Sequence, residues 1–577
     1  MGFTIESDCS REVQPVQKTE IIQNNRQNYI RPSSARLASD LKQRAWDYVV
    51  LAAVALLPTA SYLSRLGIYA DDWGFFARFR ANGDRTLVDL LRTFDSFPRT
   101  RSRPVMQLYE AGMFRLFGFH HLGYYFVNTL VFFASAVLLY RCLRLILRER
   151  FIALVIPIAF IVLPNYSGAR FVPCAFAIGL SMALLFLNLY ALLKAVASTK
   201  LLRRWAVISI AALVTSCLAY EVALPLFVLN FLVAWKFERK KPVSDRLQPR
   251  AVWLLLVLNA MALVAVTVFK KLTTTRYHGF ASVGTVIQGA VKIHFYQFGL
   301  RLPVVVAKSV LVYWNPARFA IALFFGVFLS WYLWRIQHDS DCSWDLKKAL
   351  RLTAFGFLVF AGGHAIFLVS AGETGFTATG FESRTAIAAS LGMAIILAGA
   401  AMCIGLLMGS YRKLMTALLI ASLCACELLV TSTIGSFWAV AAERQQSVLN
   451  SIRHDIPVLP PHSVLLLDGV CPYIGPGIVF EGGNDMSGSL QLLYHDPSLR
   501  GDVVTSRLQV HQDKIETRIY RHVRYYPYGP NLKLYDFRSK RVYPLLDLTE
   551  TLRHFTMMGP VHTFCPEGNE GDGVPIF

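Results

Sequence analysis

Charge is scarce in this chain. Only 16% of its 577 residues are Asp, Glu, Lys or Arg, against 54% hydrophobic, and the mean hydropathy is +0.43; a water-soluble globule of this size rarely shows such values. Acid is scarcer than base, 37 residues against 58, leaving a net charge of +21. The cations fall in short clusters between apolar segments, where the positive-inside rule expects them, so the surplus implies no nucleic-acid partner. The ten cysteines lack metal spacing and a disulfide framework; Cys174, Cys217, Cys403, Cys424 and Cys426 lie in or beside apolar segments and read as small core residues. A Walker loop, a dinucleotide glycine fingerprint and a solenoid-type repeat are also missing, which leaves a nucleotide-driven mechanism without support. No signal-peptide cleavage pattern precedes the first apolar segment, so that segment is expected to stay as an anchor.

What the chain has is a succession of apolar segments, at about 48–63, 124–140, 151–163, 175–193, 205–218, 224–235, 251–269, 319–334, 352–370, 385–407 and 414–430. The fold class expected is an all-α polytopic membrane protein of about eleven transmembrane helices, several shorter than the ~20 residues a straight span needs. Residues 1–45 form a polar, mildly basic tail, expected in the cytosol, and 46–440 the transmembrane domain with external catalytic loops. From 441 to 577 the composition changes to short apolar runs separated by Gly, Pro, Asp and Asn, which predicts a small external α/β or β-rich domain; Cys471 and Cys565 are a candidate pair within it. With the amino end inside, the basic clusters at 141–150, 200–204, 236–241, 347–351 and 412–413 all become cytosolic, and the carboxyl domain lies outside. The stretch 287–314, interrupted by Lys292, His294, Arg301 and Lys308, fits an interfacial amphipathic segment. Asn165-Tyr-Ser167 reads as a possible glycosylation sequon on the external face.

The chemistry concentrates in the first external loop. Asp71-Asp72-Trp73 follows the first apolar segment, and Arg99, Arg101, Arg103-Pro104 and His120-His121 follow in the same loop. Two adjacent carboxylates at a bilayer surface are hard to explain as packing alone, although helix capping with solvated charge is the plain alternative. Group transfer from a phosphorylated donor needs a base for an acceptor hydroxyl and cations for the departing phosphate. Asp71 is the expected base, with Asp72 positioning the acceptor or, together with Asp71, a divalent metal ion. Arg101, Arg103, His120 and His121 are candidates for donor phosphate or substrate, as are Glu221, between two short spans, and Glu382 with Arg384, whose guanidinium can grip a carrier phosphate bidentately. Head-group contact for the loop arginines and a purely structural Glu382–Arg384 ion pair are the bland alternatives.

An apolar helix followed by Tyr69-Ala-Asp-Asp-Trp-Gly74, Ser102-Arg-Pro104 and Phe117-Gly-Phe-His-His-Leu-Gly-Tyr-Tyr-Phe-Val-Asn128 resembles the GT-C superfamily of membrane glycosyltransferases, among them the protein O-mannosyltransferase-like enzymes. The resemblance continues at Tyr220-Glu-Val-Ala-Leu-Pro225 and at Glu382-Ser-Arg384 leading into Ala389-Ser-Leu-Gly-Met393, covering about residues 46–440. It implies transfer of a sugar from a polyprenyl-phosphate carrier to an envelope lipid, glycan or protein in polysaccharide biosynthesis, with an acidic residue of the first external loop at the acceptor. A bacterial inner membrane is the expected location. The second acidic position is Asp where the family commonly has Glu, and the carboxyl-terminal domain matches no tail of the family. Two other classes share these features: an O-antigen-polymerase-like enzyme, which would favour a large arginine-bearing late loop, and a transporter or flippase, whose ionisable groups belong near the bilayer midplane.

Overall fold

The computed structural model describes residues 34–558 apart from 82–85, 98–99, 148, 199–200, 243–245, 275–280, 339–343, 370–378 and 520–521. In chain order the helices are α1 (Ser34–Ala60), α2 (Asp71–Ala81), α3 (Leu87–Thr93), α4 (Pro104–Phe117), α5 (His121–Leu147), α6 (Arg150–Val162), α7 (Phe176–Ala197), α8 (Leu202–Ala219), α9 (Leu224–Arg239), α10 (Pro249–Thr273), α11 (Val283–Val291), α12 (Leu302–Leu311), α13 (Pro316–His338), α14 (Leu346–Val369), α15 (Ile387–Leu406) and α16 (Arg412–Asp455). A helix occupies each of the eleven expected segments. Among the described residues eight of them are long and apolar enough to cross a bilayer; α1, α6 and α9 fall outside that set, so eight of the eleven expected spans meet the length and apolarity of a crossing helix. The chain is an integral membrane protein. Thirteen residues carry α6 only about 20 Å, yet all of its positions from Phe151 to Val162 are buried. Helix α6 is therefore a core element with apolar residues all round.

Close backbone approach sets the packing around α6. Glycines recur seven residues apart on α14 (Gly356, Gly363) and α15 (Gly392, Gly399). A Cβ added to Gly363 would lie 2.3 Å from the backbone nitrogen of Ala389, and one on Gly392 would lie 2.2 Å from that of Phe360. Small residues on facing helices allow this approach in lipid, where no hydrophobic force drives helices together. Polar contacts add specificity. Asn188 donates to Asn259 at 3.2 Å and accepts from Asn230 at 3.0 Å, joining α7, α9 and α10. At one end of the bundle buried Asp47 accepts from Arg150, Tyr140 and Tyr332, tying α1 to α6, α5 and α13. The stretch expected to lie at the interface forms α11, π-helical turns over Lys292–Arg301, and α12, against α14 and α16.

Between α6 and α7 the chain makes a reversal punctuated by Pro164 and Pro173, buried but for the half-buried Cys174. Ser167 donates to the carbonyl of Thr379 at 2.8 Å, and the Gly168 amide donates to Ser383 at 3.1 Å. Only glycine fits at 168, since a Cβ there would lie 2.4 Å from the carbonyl oxygen of Phe381. This reversal fixes the 3-10 turn Phe381–Ala386 that leads into α15. It also corrects the sequon reading: Asn165 is 1% exposed, closed to an oligosaccharide in the folded chain.

Helix α16 has 44 residues, about 66 Å at 1.5 Å per residue, twice the hydrocarbon thickness of a bilayer. The boundary expected at 441 falls inside it. Beyond α16 come β1 (Val464–Asp468), β2 (Tyr473–Ile474), β3 (Gly477–Ile478), α17 (Gly483–Tyr494), β4 (Arg500–Val503), β5 (Gln509–Val510), β6 (Lys514–Ile519), β7 (His522–Pro527), β8 (Leu532–Asp536), β9 (Arg541–Pro544) and α18 (Leu548–Met558). A four-stranded sheet runs β4-β1-β8-β9, with β1 parallel to both neighbours and β9 antiparallel to β8. Strands β5-β6-β7 form an antiparallel sheet, and β2 pairs with β3. This is the small α/β region anticipated from composition. It packs on the bundle: Gln445 of α16 donates to the carbonyl of Val479 at 2.7 Å, and Gly488 of α17 sits against the backbone of Trp73, where a Cβ would come within 2.4 Å. Cys471 is disulfide-bonded; Cys565 lies outside the described residues.

Candidate active site

The site is built from the turn before α2. Tyr69 is buried and donates through its hydroxyl to the carbonyl of Trp438 at 2.7 Å, while the Gly67 amide donates back to that hydroxyl at 3.0 Å. Ala70 has φ +50°, a left-handed conformation uncommon for a residue with a Cβ and held by its surroundings. The turn delivers two adjacent acids to opposite environments. Asp72 is 1% exposed; its Oδ2 accepts the Tyr69 amide at 3.0 Å, and its Oδ1 is buried with no hydrogen-bond partner among the described residues. Burial pushes its carboxyl up to about 8, with the Tyr69 amide opposing and the Asp71 charge adding to the rise. Asp71 is exposed, and its Oδ1 accepts from the Asn484 side chain of α17 at 3.3 Å.

A third carboxyl joins them from α4. Glu110 is 3% exposed, its Oε1 lacks a hydrogen-bond partner among the described residues, and burial followed by the nearby Asp72 charge drives it well above the usual carboxylate range. Cys174, at the start of the α7 span, lies within electrostatic reach of Asp71, Asp72, Glu110 and Arg384. The acidic turn and the turn before α15 thus converge on one residue. Arg384 pairs with Glu382 at 3.2 Å, donates to the Phe381 carbonyl at 3.0 Å, and stacks 3.6 Å over the Phe381 ring. Both polar contacts use Nη1.

Arg103 is committed differently. Its guanidinium forms a bidentate pair with Glu221, and Lys270 of α10 adds a second cation at 3.0 Å from Glu221 Oε2 while also donating to the Ser102 carbonyl at 3.1 Å. Burial raises the Glu221 carboxyl, but the charges of Arg103 and Lys270 outweigh it and hold the group well below the ordinary range. Arg103 also covers the Tyr220 ring at 4.0 Å, and the same tyrosine interacts with Arg384. Tyr220 therefore lies beside the Arg103–Glu221–Lys270 cluster and within electrostatic reach of Arg384.

The remaining expected residues lie elsewhere. Arg101 is exposed and, among the described residues, reaches the Asp95 carbonyl at 3.4 Å. Arg99 falls outside the described residues. His120 is exposed at the turn before α5, and His121 lines a cavity of about 1500 Å³ between α2, α16 and α17, on the Trp73 and Arg80 side of α2. Asp71 and Asp72 diverge, and among the described residues no three His, Cys, Asp or Glu side chains gather as a metal site. Glu110, Lys270 and Asn484 were not singled out in the sequence, and Cys174 was read there as a small core residue. Only Lys270 carried a signal, a cation near the end of an apolar run.

No family model matches the chain, and no curated protein matches it either. Among solved structures it is similar to ArnT from Cupriavidus metallidurans bound to undecaprenyl phosphate, at 14% identity over 79% of this chain and 86% of that one, with a TM-score of 0.35. The apo state of the same protein matches at 12% identity, 79% and 85% coverage and a TM-score of 0.35. It is also similar to the oligosaccharyltransferase of Archaeoglobus fulgidus tethered with an acceptor peptide, at 11% identity over 73% of this chain and 62% of that one, with a TM-score of 0.34.

Proposed function

We propose that this protein is a membrane glycosyltransferase that moves a sugar from a polyprenyl-phosphate carrier to the hydroxyl of an envelope acceptor, with Asp71 as the base. The observation that carries the reading is the convergence on Cys174 of the acidic turn and Arg384, which brings a base and a phosphate-binding cation into one neighbourhood. In the step, the acceptor oxygen bonds to the anomeric carbon as the bond from that carbon to the carrier phosphate breaks. The phosphate leaves with the electron pair, and the acceptor proton passes to Asp71. Asp72, raised to about 8 by burial, holds its proton at neutral pH and serves as a hydrogen-bond donor, leaving Asp71 as the ionised partner. Arg384 takes the carrier phosphate through the edge of its guanidinium not bound to Phe381 and Glu382. The Arg103–Glu221–Lys270 cluster holds Tyr220 within electrostatic reach of Arg384. A divalent ion at Asp71 would draw its further ligands from substrate phosphate oxygens, and EDTA sensitivity of transfer tests for it.

The experiment is transfer from a synthetic polyprenyl-phosphate sugar by purified protein in detergent. Asp71→Asn keeps size and shape but removes the basic oxygen, so transfer falls by roughly 10² to 10⁴ with folding intact; near-native turnover in both Asp71→Asn and Asp72→Asn would sink the enzyme reading. The reading also requires the acidic turn to lie outside, in a bacterial envelope across the inner membrane. Reporter fusions after Arg250 and after Phe577 should then report opposite sides.

A further inference from the structure

The cavity beside α2 is separate from the Cys174 neighbourhood, and its walls have a chemistry of their own. About 1500 Å³ exceeds the roughly 300–1,000 Å³ of small-ligand pockets, so an extended molecule fits it better than a single ion. One wall is the part of α16 that continues past the bilayer. Gln446, Ser447, Asn450 and Ser451 line it as two adjacent pairs one helical turn apart, so one helical face presents amides and hydroxyls, groups that both donate and accept. Trp73 and Phe119 supply aromatic surface on the side of α2 and α5. The Trp73 Nε1 and the His121 Nε2 are buried without hydrogen-bond partners among the described residues. Amides, hydroxyls and aromatic faces together suit a saccharide, whose rings carry hydroxyl edges and C–H faces.

The charge balance selects among saccharides. The lining holds Arg65, Arg80 and Lys540 with three imidazoles against two carboxylates, Glu443 and Asp455. Both carboxylates are engaged: Glu443 with Arg65 at 2.7 Å, Asp455 with His454 at 2.8 Å and with the Tyr535 hydroxyl at 2.6 Å. Arg80 has no carboxylate partner among the described residues. We infer that this cavity binds an anionic glycan chain, with the α16 face reading its hydroxyls and Arg80 and Lys540 its acidic groups. The further statement that this glycan is the acceptor, leading from the cavity over α2 to Asp71, rests on the transferase reading.

Isothermal titration of the full-length protein in detergent with a galacturonate hexamer tests the inference, with maltohexaose as the neutral chain of equal length and inorganic phosphate as the bare anion. The hexamer should bind and the other two should not. Arg80→Gln, at an exposed position with no carboxylate partner among the described residues, should weaken the hexamer about tenfold, the worth of one charge-assisted hydrogen bond; Asn450→Ala should also weaken it. Equal binding of maltohexaose, binding of phosphate alone, no binding, or an affinity unchanged in both variants would each overturn the inference. Binding requires no transfer, so the two readings fail separately. A protein that binds the hexamer but never transfers sugar refutes only the transferase, and one that transfers sugar but binds no hexamer refutes only the cavity assignment.

Discussion

The side-chain amide of Asn484 donates to Asp71 at 3.3 Å across 413 positions of sequence. Arg524 holds the other end of Asn484, donating to its Oδ1 at 2.8 Å. The proposed base is thus oriented by the carboxyl-terminal domain, while the helix that carries it belongs to the first loop. Replacing Asn484 by Ala should leave donor KM unchanged and lower kcat by about tenfold, the scale of one lost hydrogen bond to a charged group. Steady-state transfer kinetics decide it, and a native kcat would detach the domain from catalysis.

The raised carboxyl of Asp72 gives stability a direction with pH. Below about pH 4 the group is protonated in both the folded and the unfolded chain and contributes nothing. Between there and about 8 the unfolded chain gives up the proton while the folded one keeps it, so the contribution destabilises progressively as pH rises, then levels off. Thermal unfolding in detergent should therefore show a Tm that declines from pH 5 to pH 8 in the native protein. Asp72→Asn should decline less across the same window; equal slopes would mean that the group is not buried as described.

Arg384→Lys separates charge from shape. The ammonium retains the positive charge but has no planar fork, so it cannot keep the Phe381 carbonyl on one edge and grip phosphate with the other. Donor KM should rise by about tenfold or more with acceptor KM unmoved. Unchanged donor kinetics would remove this residue from the site.

The glycine contacts between α14 and α15 make a packing prediction with an internal control. Gly363→Ala puts a methyl group 2.3 Å from the Ala389 backbone and should cost about 1–3 kcal/mol as the helices separate. Gly112→Ala, in α4 with nothing within 4 Å of the added atom, should be neutral or slightly stabilising. Comparable melting of both variants in detergent would contradict the close approach.

Much of the bundle is legible in the sequence because a bilayer imposes one rule, length and apolarity, on every crossing helix. Helix α6 shows where that rule stops: thirteen apolar residues look like a short span, and only the burial of the whole helix reveals a core element. At the site, Asp71, Asp72 and Arg384 stood out because charge beside lipid is costly. Glu110 did not, since a glutamate in a mixed helix normally faces water and its burial depends on how α4 meets α2. Arg103 was read for its charge alone; Glu221, distant in sequence, pairs with it and with Lys270. Of the two adjacent histidines, His120 is exposed and His121 faces the cavity, because adjacent residues entering a helix point in different directions.

Helix α16 runs without interruption from the bilayer segment into the flank of the carboxyl-terminal domain. A domain mounted on such a mast has no hinge where it meets the bundle, and bending the mast would break helical hydrogen bonds. On the transferase reading, access to Asp71 would then depend on side chains and loops rather than on a domain hinge. The spacing between Asn484 and the acidic turn is set like the gap of a rigid caliper, and a proline or a glycine pair inserted near Ala441 would loosen the caliper without touching a single residue of the site.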